Sequence, residues 1–388
     1  MKHYISLKTL PLLLACFLFI SISASAQDTQ TNNLSALLNT IPLSSFKSGW
    51  LSYVDFKLLA ERHGVILPHS IQDAEGLNSE QLDTLFSAFM SISAGPADIL
   101  RRFSQKREML LASGVDFFSV RRALEIGMPA ARQLWLEGEF DEEAISEALF
   151  QRGYMLTENE INGRQTWAPA GDIEAGSRID FNKRDPAFLF GGDLGQSWPV
   201  TLLPGVLAST PDALSAQAIA LGETPSLMEN TVLMSGVSAV LQQGDVAQMY
   251  ALTPEVGGLV IANDNALPRY ELILLAHMFT GDMQRVLIAL VYADANAAAN
   301  AGRILTSRLS EDITLTSGEK LQSLISQRGG EIEPLFVYNS ASNPVLLAAF
   351  HFPLPLKAQR EPSISPFRLF SDMLLMRDLS WLETAEKK

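Results

Sequence analysis

Cysteine is almost absent, with one residue in 388, at Cys16. A single thiol excludes an internal disulfide and any cysteine-based zinc site. Histidine is scarce too. Beyond position 26 there are His63, His69, His277 and His351, with no His-Glu-x-x-His pattern and no pair at helical ligand spacing. Basic residues are the minority, 29 against 43 acidic, for a net charge of −14. Phosphate backbones and anionic lipid repel such a chain, so nucleic acid is not an expected partner. After residue 26 no apolar run approaches the length of a bilayer span, so no transmembrane segment is expected there.

The first 26 residues differ from the rest. Lys2 and Lys8 form a short basic region, residues 10–22 an apolar run, and Ala24-Ser25-Ala26 a small-residue cleavage site. This three-part layout predicts a secretory signal peptide over 1–26 and a periplasmic or secreted product. Removing Lys2 and Lys8 leaves 27 basic residues against 43 acidic, a net charge of −16, and no cysteine. Leu13-Leu14-Ala15-Cys16 has the form of a lipoprotein box. The apolar run continues through 17–20, however, where a lipoprotein turns polar, so lipid anchoring through Cys16 is not expected.

Apolar residues make up 47% of the chain, an ordinary globular content. The clearest local signals lie in 120–169. Two strand-like runs meet at Gly127-Met128-Pro129, Asp141 opens a helix that stops at Arg152-Gly153, and a hairpin turns at Asn162-Gly163. A side-chain oxygen at Asp141 can cap the first turn, and Glu142 and Glu143 favour the positive end of its dipole. Ile145, Leu149 and Phe150 follow the spacing of one buried stripe.

Upstream, 27–45 is polar and predicts a flexible leader in which 34–38 can form one helical turn. Helices are expected after Asp55, over 79–93 and over 97–113, with Gly95-Pro96 between the last two. Downstream, 171–197 reads as a junction with surface loops. A hairpin follows about Pro204-Gly205, with helices from Thr210-Pro211 and over 226–243. Strands over 270–279 and 285–293 lead to a helix capped by Asp294, a shorter helix over 318–327, another hairpin, a proline-rich connector over 353–366 and a final helix over 367–382.

The expected fold class is α+β, a mainly helical N-terminal region followed by layered antiparallel-sheet and helix units. Its divisions are 46–170, the junction 171–197, and 198–388. Three times a hairpin leads to a helix, at Asp141, Thr210 and Asp294, which suggests an internal repeat.

Motifs of chemistry are thin. There is no Gly-x-Ser-x-Gly elbow. Ser44-Ser45-Phe46-Lys47 and Ser317-Gly318-Glu319-Lys320 match Ser-x-x-Lys but lack its companion elements. Asn263-Asp264-Asn265 reads as a turn, lacking the glycine and distal glutamate of a calcium loop. Gly191-Gly192-Asp193-Leu194-Gly195 lacks the spacing and lysine of a phosphate loop. The acidic cluster Glu137, Glu139, Asp141, Glu142 and Glu143 is better explained by helix starting than by acid/base work. His277 lies in an apolar strand and reads as a satisfied core histidine. Arg101, Arg102, Lys106 and Arg107 form a basic patch that reads as a solvated helix face. No catalytic, cofactor or metal residue is assigned.

Four stretches carry a resemblance: SYVDFKLLAERHG (52–64), GVDFFSVRRALEIGMP (114–129), GEFDEEAISEALFQRGY (138–154) and VYADANAAANAGRIL (291–305). With their order along the chain, they resemble an uncharacterised family of exported, often lipoprotein-like bacterial proteins to which no activity is assigned. The expected function is a non-enzymatic envelope protein that binds a protein partner. One rival is a periplasmic small-ligand binder using 171–197 as a cleft wall. The other is a hydrolase with dispersed catalytic residues.

Overall fold

Trp50–Asp55 (β1) and Asp245–Leu252 (β8) are separated by about half the chain, yet they pair antiparallel at the centre of the sheet, Trp50 opposite Leu252 and Val54 opposite Gln248. The structure, a computed structural model, describes residues 27–96, 99, 102–128, 131–157, 164–170, 178–211, 213–222, 225–261, 266–311, 313–315, 317–339, 342–354 and 365–386.

In chain order the elements are α1 (Gln27–Asn39), β1, α2 (Phe56–Arg62), α3 (Ile71–Glu75), α4 (Ser79–Met90), α5 (Lys106–Ser113), β2 (Val120–Ile126), β3 (Gln133–Gly138) and α6 (Glu142–Gln151). Then come β4 (Tyr154–Leu156), β5 (Gln165–Pro169), β6 (Val200–Leu203), β7 (Val206–Ser209), α7 (Ala213–Leu221), α8 (Thr231–Leu241), β8 and β9 (Val260–Ile261). The remainder is β10 (Leu272–Thr280), β11 (Met283–Val291), α9 (Ala295–Ser310), α10 (Leu321–Gln327), β12 (Glu331–Ile332), β13 (Phe336–Asn339), β14 (Pro344–Pro353), α11 (Pro366–Leu375) and β15 (Thr384–Ala385).

Thirteen strands form one sheet in the order β12-β14-β11-β10-β8-β1-β2-β3-β7-β6-β5-β4, with β13 also on β14. With helices packed on it, this is the expected α+β class. Both faces are covered, which is why β10 reads LILLAHMFT and buries all but its last residue. Alternation sends Leu51, Tyr53, Leu124 and Leu274 to one face, with Leu37 of α1, Ile219 of α7 and Val237 of α8. The other face carries two cores. One holds Leu85 of α4 and Ile145 of α6, and the second holds Leu305 of α9 and Phe370 of α11.

Several expectations change here. The leader begins as α1, and its Leu34, Leu37 and Leu38 are buried, because the first sheet face needs a cover. The helix over 97–113 is interrupted by a 3-10 turn, Phe103–Gln105, whose Phe103 packs among Phe89, Phe117 and Phe118. The helix over 226–243 starts as a 3-10 turn, Leu227–Glu229, before Asn230 caps α8. The final helix stops at Leu375, and β15 returns to pair in parallel with β9. The described part of the junction is divided: 178–186 is mostly exposed, as surface loops are, whereas Phe188, Leu189 and Phe190 enter the core. Strands from both sides of it join the same sheet. The turn at Asn162-Gly163, the turn at Asn263-Asp264-Asn265, most of the proline-rich connector and residues 1–26 lie outside the described residues.

The three helices of the suggested repeat are not placed alike on the sheet. Helices α6 and α9 lie on the same face of the sheet, whereas α7 lies on the opposite one. A longer series recurs, in which a helix of the first face, a central strand, a hairpin, a helix of the second face and a further hairpin follow in order. It runs as α1, β1, β2–β3, α6, β4–β5, with α2 to α5 inserted after β1, and again as α8, β8, β10–β11, α9, β13–β14. The closing hairpins differ, since β14 pairs with β11 whereas β7, not β4 or β5, pairs with β3. The two series meet at the β1–β8 pair.

Candidate functional site

The acidic cluster is divided by the strand-to-helix turn. Asp141 accepts the Ala144 N–H at 3.0 Å as the cap of α6, while Glu142 and Glu143 occupy its first turn. Glu139 faces Arg121 and His69, each at 3.7 Å. Glu137 points to the other face of the sheet, where Arg122 donates to it at 2.6 Å and to Asp55 at 2.8 Å. No carboxylate pair is left free for acid/base work in this row.

Asp55, Arg122 and Glu137 stand side by side on β1, β2 and β3, because Asp55 pairs with Arg122 and Arg122 with Glu137 in the ladder. Asp55 also accepts the Leu58 N–H at 2.8 Å, so it caps α2 and holds the guanidinium at once. Burial pushes both carboxyls up against the opposing pull of Arg122. Burial also works against the guanidinium, but Asp55, Tyr53 and Glu137 outweigh it and hold Arg122 above its usual value. The row is a structural ion-pair set.

His277 is satisfied within the core, as its strand context suggested. Its Nδ1 meets Gln248 Nε2 at 3.2 Å and its Nε2 meets Gln284 Oε1 at 3.1 Å. Gln248 Oε1 accepts the N–H groups of Ser93 and Ala94, and Gln284 Nε2 donates to Pro353 O. These partners fix both amides, and through them a neutral imidazole with its proton on Nε2. Burial lowers the pKa of this histidine to about 4. Phe367 of α11 stacks on the ring with centroids 5.5 Å apart. The network therefore ties the 91–94 turn and α11 to the sheet, and β11 to the end of β14.

The basic patch separates by depth. Arg102 is buried and pairs with Asp193 at 3.2 Å. Arg107 pairs with Glu75, and the Lys106 ammonium lies 5.5 Å from the Phe103 ring centroid. Arg101 lies outside the described residues. The glycine-rich loop thus supplies an internal counter-charge, and its close packing explains the composition: a Cβ on Gly195 (φ +67) would overlap Asp180 O. In the second Ser-x-x-Lys match, Ser317 Oγ accepts the Glu319 N–H at 3.3 Å and Lys320 precedes α10, so it is a helix start. Among the described residues no group of three or more His, Cys, Asp or Glu side chains is placed to hold a metal. None of their helices is long and apolar enough to cross a membrane.

A stripe of apolar side chains is left at the surface on α4. In α4, Leu85, Ala88 and Phe89 face the core, while Leu82, Phe86 and Met90 are 40%, 51% and 55% exposed. Spacing of four residues places these three along one stripe beside the buried face. Phe86 leans on Phe103 at 6.0 Å, so the stripe is anchored to the aromatic core. Glu80 and Asp83 lie on the same helix, exposed to solvent. The sequence showed the apolar spacing of Leu82, Leu85, Phe86 and Phe89. Which of them the core leaves uncovered is decided by packing.

No family model matches the chain, and no curated protein matches it. Among solved structures, crystal form I of TP0453 is similar at 8% identity over 81% of this chain and 92% of that one, with a TM-score of 0.30. A likeness at that score carries no argument for fold or function.

Proposed function

We propose that this chain is an exported, non-enzymatic protein of the cell envelope that acts by binding a protein partner through α4. The carrying observation is the mismatch on that helix, whose apolar arc is wider than the core it covers, leaving Leu82, Phe86 and Met90 in water. Export follows from the signal-peptide layout of residues 1–26. A non-enzymatic role is supported by the commitment of Asp55, Asp141, Arg122 and His277 to caps, ion pairs and buried amides. The fitting partner offers an apolar surface with basic residues at its rim. A second copy fits less well, because two α4 faces would bring Glu80 and Asp83 against their own kind.

The test places a photo-crosslinking residue at Ser87 beside the stripe, identifies the crosslinked envelope protein, and rebuilds the pair from purified components. Leu82→Ser with Phe86→Ser should weaken the rebuilt complex at least ~10-fold, the loss expected of a central apolar anchor. Equal affinity in the double variant, or no crosslink dependent on the stripe, would refute the reading.

A further inference from the structure

On the opposite face of the sheet from α4, a recess of about 500 Å³ opens beside the 3-10 turn Leu43–Ser48. Pro42, Leu43 and Phe46 line it from one segment of the chain, and Pro225 and Asn230 from another. The two segments are held together by backbone bonds: Leu43 N–H to Pro225 O at 3.0 Å and Leu227 N–H to Ile41 O at 2.7 Å. A β-bridge between Pro42 and Ser226 and a bond from Ser226 Oγ to Asn39 Oδ1 add to the tie. The recess is therefore built before any ligand arrives, as small-molecule sites usually are.

Its polar lining is one-sided. Ser44, Lys47 and Asn230 line it and no Asp or Glu does, in a chain of net charge −14. Lys47 makes no ion pair among the described residues, unlike Arg62, Arg102, Arg107 and Arg122. Asn230 Oδ1 is occupied by the Leu233 N–H, which leaves its amide protons as donors. A cation and neutral donors beside a proline, leucine and phenylalanine surface select a flat apolar body carrying one negative charge.

We propose that this recess binds a small aromatic monocarboxylate, with the ring resting on the apolar surface of Pro42, Leu43, Phe46 and Pro225 and the carboxylate at Lys47. The Ser-x-x-Lys spacing at Ser44 and Lys47 acquires a meaning here that is not catalytic: both residues line the recess, and no hydrogen bond joins them among the described residues. The site stands apart from the partner surface on α4, and either can fail without the other.

The test is titration calorimetry of the mature chain with 2-naphthoate, 2-naphthylmethanol and 2-naphthylmethylammonium at low salt. Naphthoate should bind best and the ammonium worst. Lys47→Met should lower naphthoate affinity about 5-fold, as an exposed ion pair allows, while leaving the alcohol unchanged. Lys47→Arg should keep the preference for the acid, and Leu43→Ala should weaken acid and alcohol alike. Absence of saturable naphthoate binding at millimolar concentration would overturn the proposal. So would equal binding of all three probes, or an acid preference untouched in Lys47→Met, with thermal melts confirming that the variants fold.

Discussion

Arg122 sits between the buried Asp55 and the half-buried Glu137, and its removal leaves both without this counter-charge. Uncompensated buried charge is among the most damaging single changes, so Arg122→Met should lower stability by about 3–5 kcal/mol in urea unfolding. A loss below about 1 kcal/mol would mean that water already reaches the row. His277 makes a different prediction, because its imidazole is held neutral. Its folded pKa, about 4, lies below the ordinary 6.5, so between those values the unfolded chain binds more protons than the folded one. The stabilisation is fully present above pH 6.5 and is lost as pH falls through 4, by roughly 3 kcal/mol in all. A protonated Nδ1 would oppose the Gln248 amide, and turning that amide would strip the Ser93 and Ala94 N–H groups of their acceptor. Urea midpoints measured from pH 7 to pH 4.5 should show this slope in the native chain and a shallower one in His277→Gln. Parallel slopes would remove histidine from the account.

At the scale of elements, the helix starts were the most legible feature. Asp55, Asp141 and Asp294 each cap the helix expected of them, accepting the N–H three residues on. This signal is local, since a short side chain reaches only its own first turn. Asp141→Ala should therefore cost about 1 kcal/mol of thermal stability, with no change elsewhere. Helix α4 tests the other side of the same logic. Its stripe is half-exposed, so Leu82→Ser with Phe86→Ser should lower stability by no more than about 2 kcal/mol while weakening partner binding at least ~10-fold. A large stability loss would show that the stripe belongs to the core. Long-range elements were less legible. The β9–β15 pair, the break at Phe103 and the early stop of α11 depend on partners far along the chain, which no local window contains.

For the whole molecule, the continuous sheet has a direct consequence. Strands from both sides of the 171–197 stretch share one ladder, and Phe188 to Phe190 fill the core beneath it. Unfolding should then be one cooperative transition, with tryptophan fluorescence and far-ultraviolet circular dichroism giving the same midpoint. Two separated midpoints would mean that the halves fold independently. Phe188 to Phe190 are packed in the core, so that part of the junction cannot be the cleft wall that a receptor reading placed over 171–197. The recess at Lys47 lies elsewhere and was visible only as an incidental Ser-x-x-Lys match.

The sequence by itself determined the α+β class, most strand and helix identities, the helix caps, and the structural character of His277 and the acidic cluster. Each of these follows from spacing or from a side chain acting on its own neighbourhood. The tertiary structure alone decided that α1 covers the sheet, that Arg102 is an internal cation, and that α7 crosses to the opposite face from α6 and α9. Burial is a property of what lies opposite a residue, and in this chain the opposing residue is often more than a hundred positions away, as Asn39 is from Ser226.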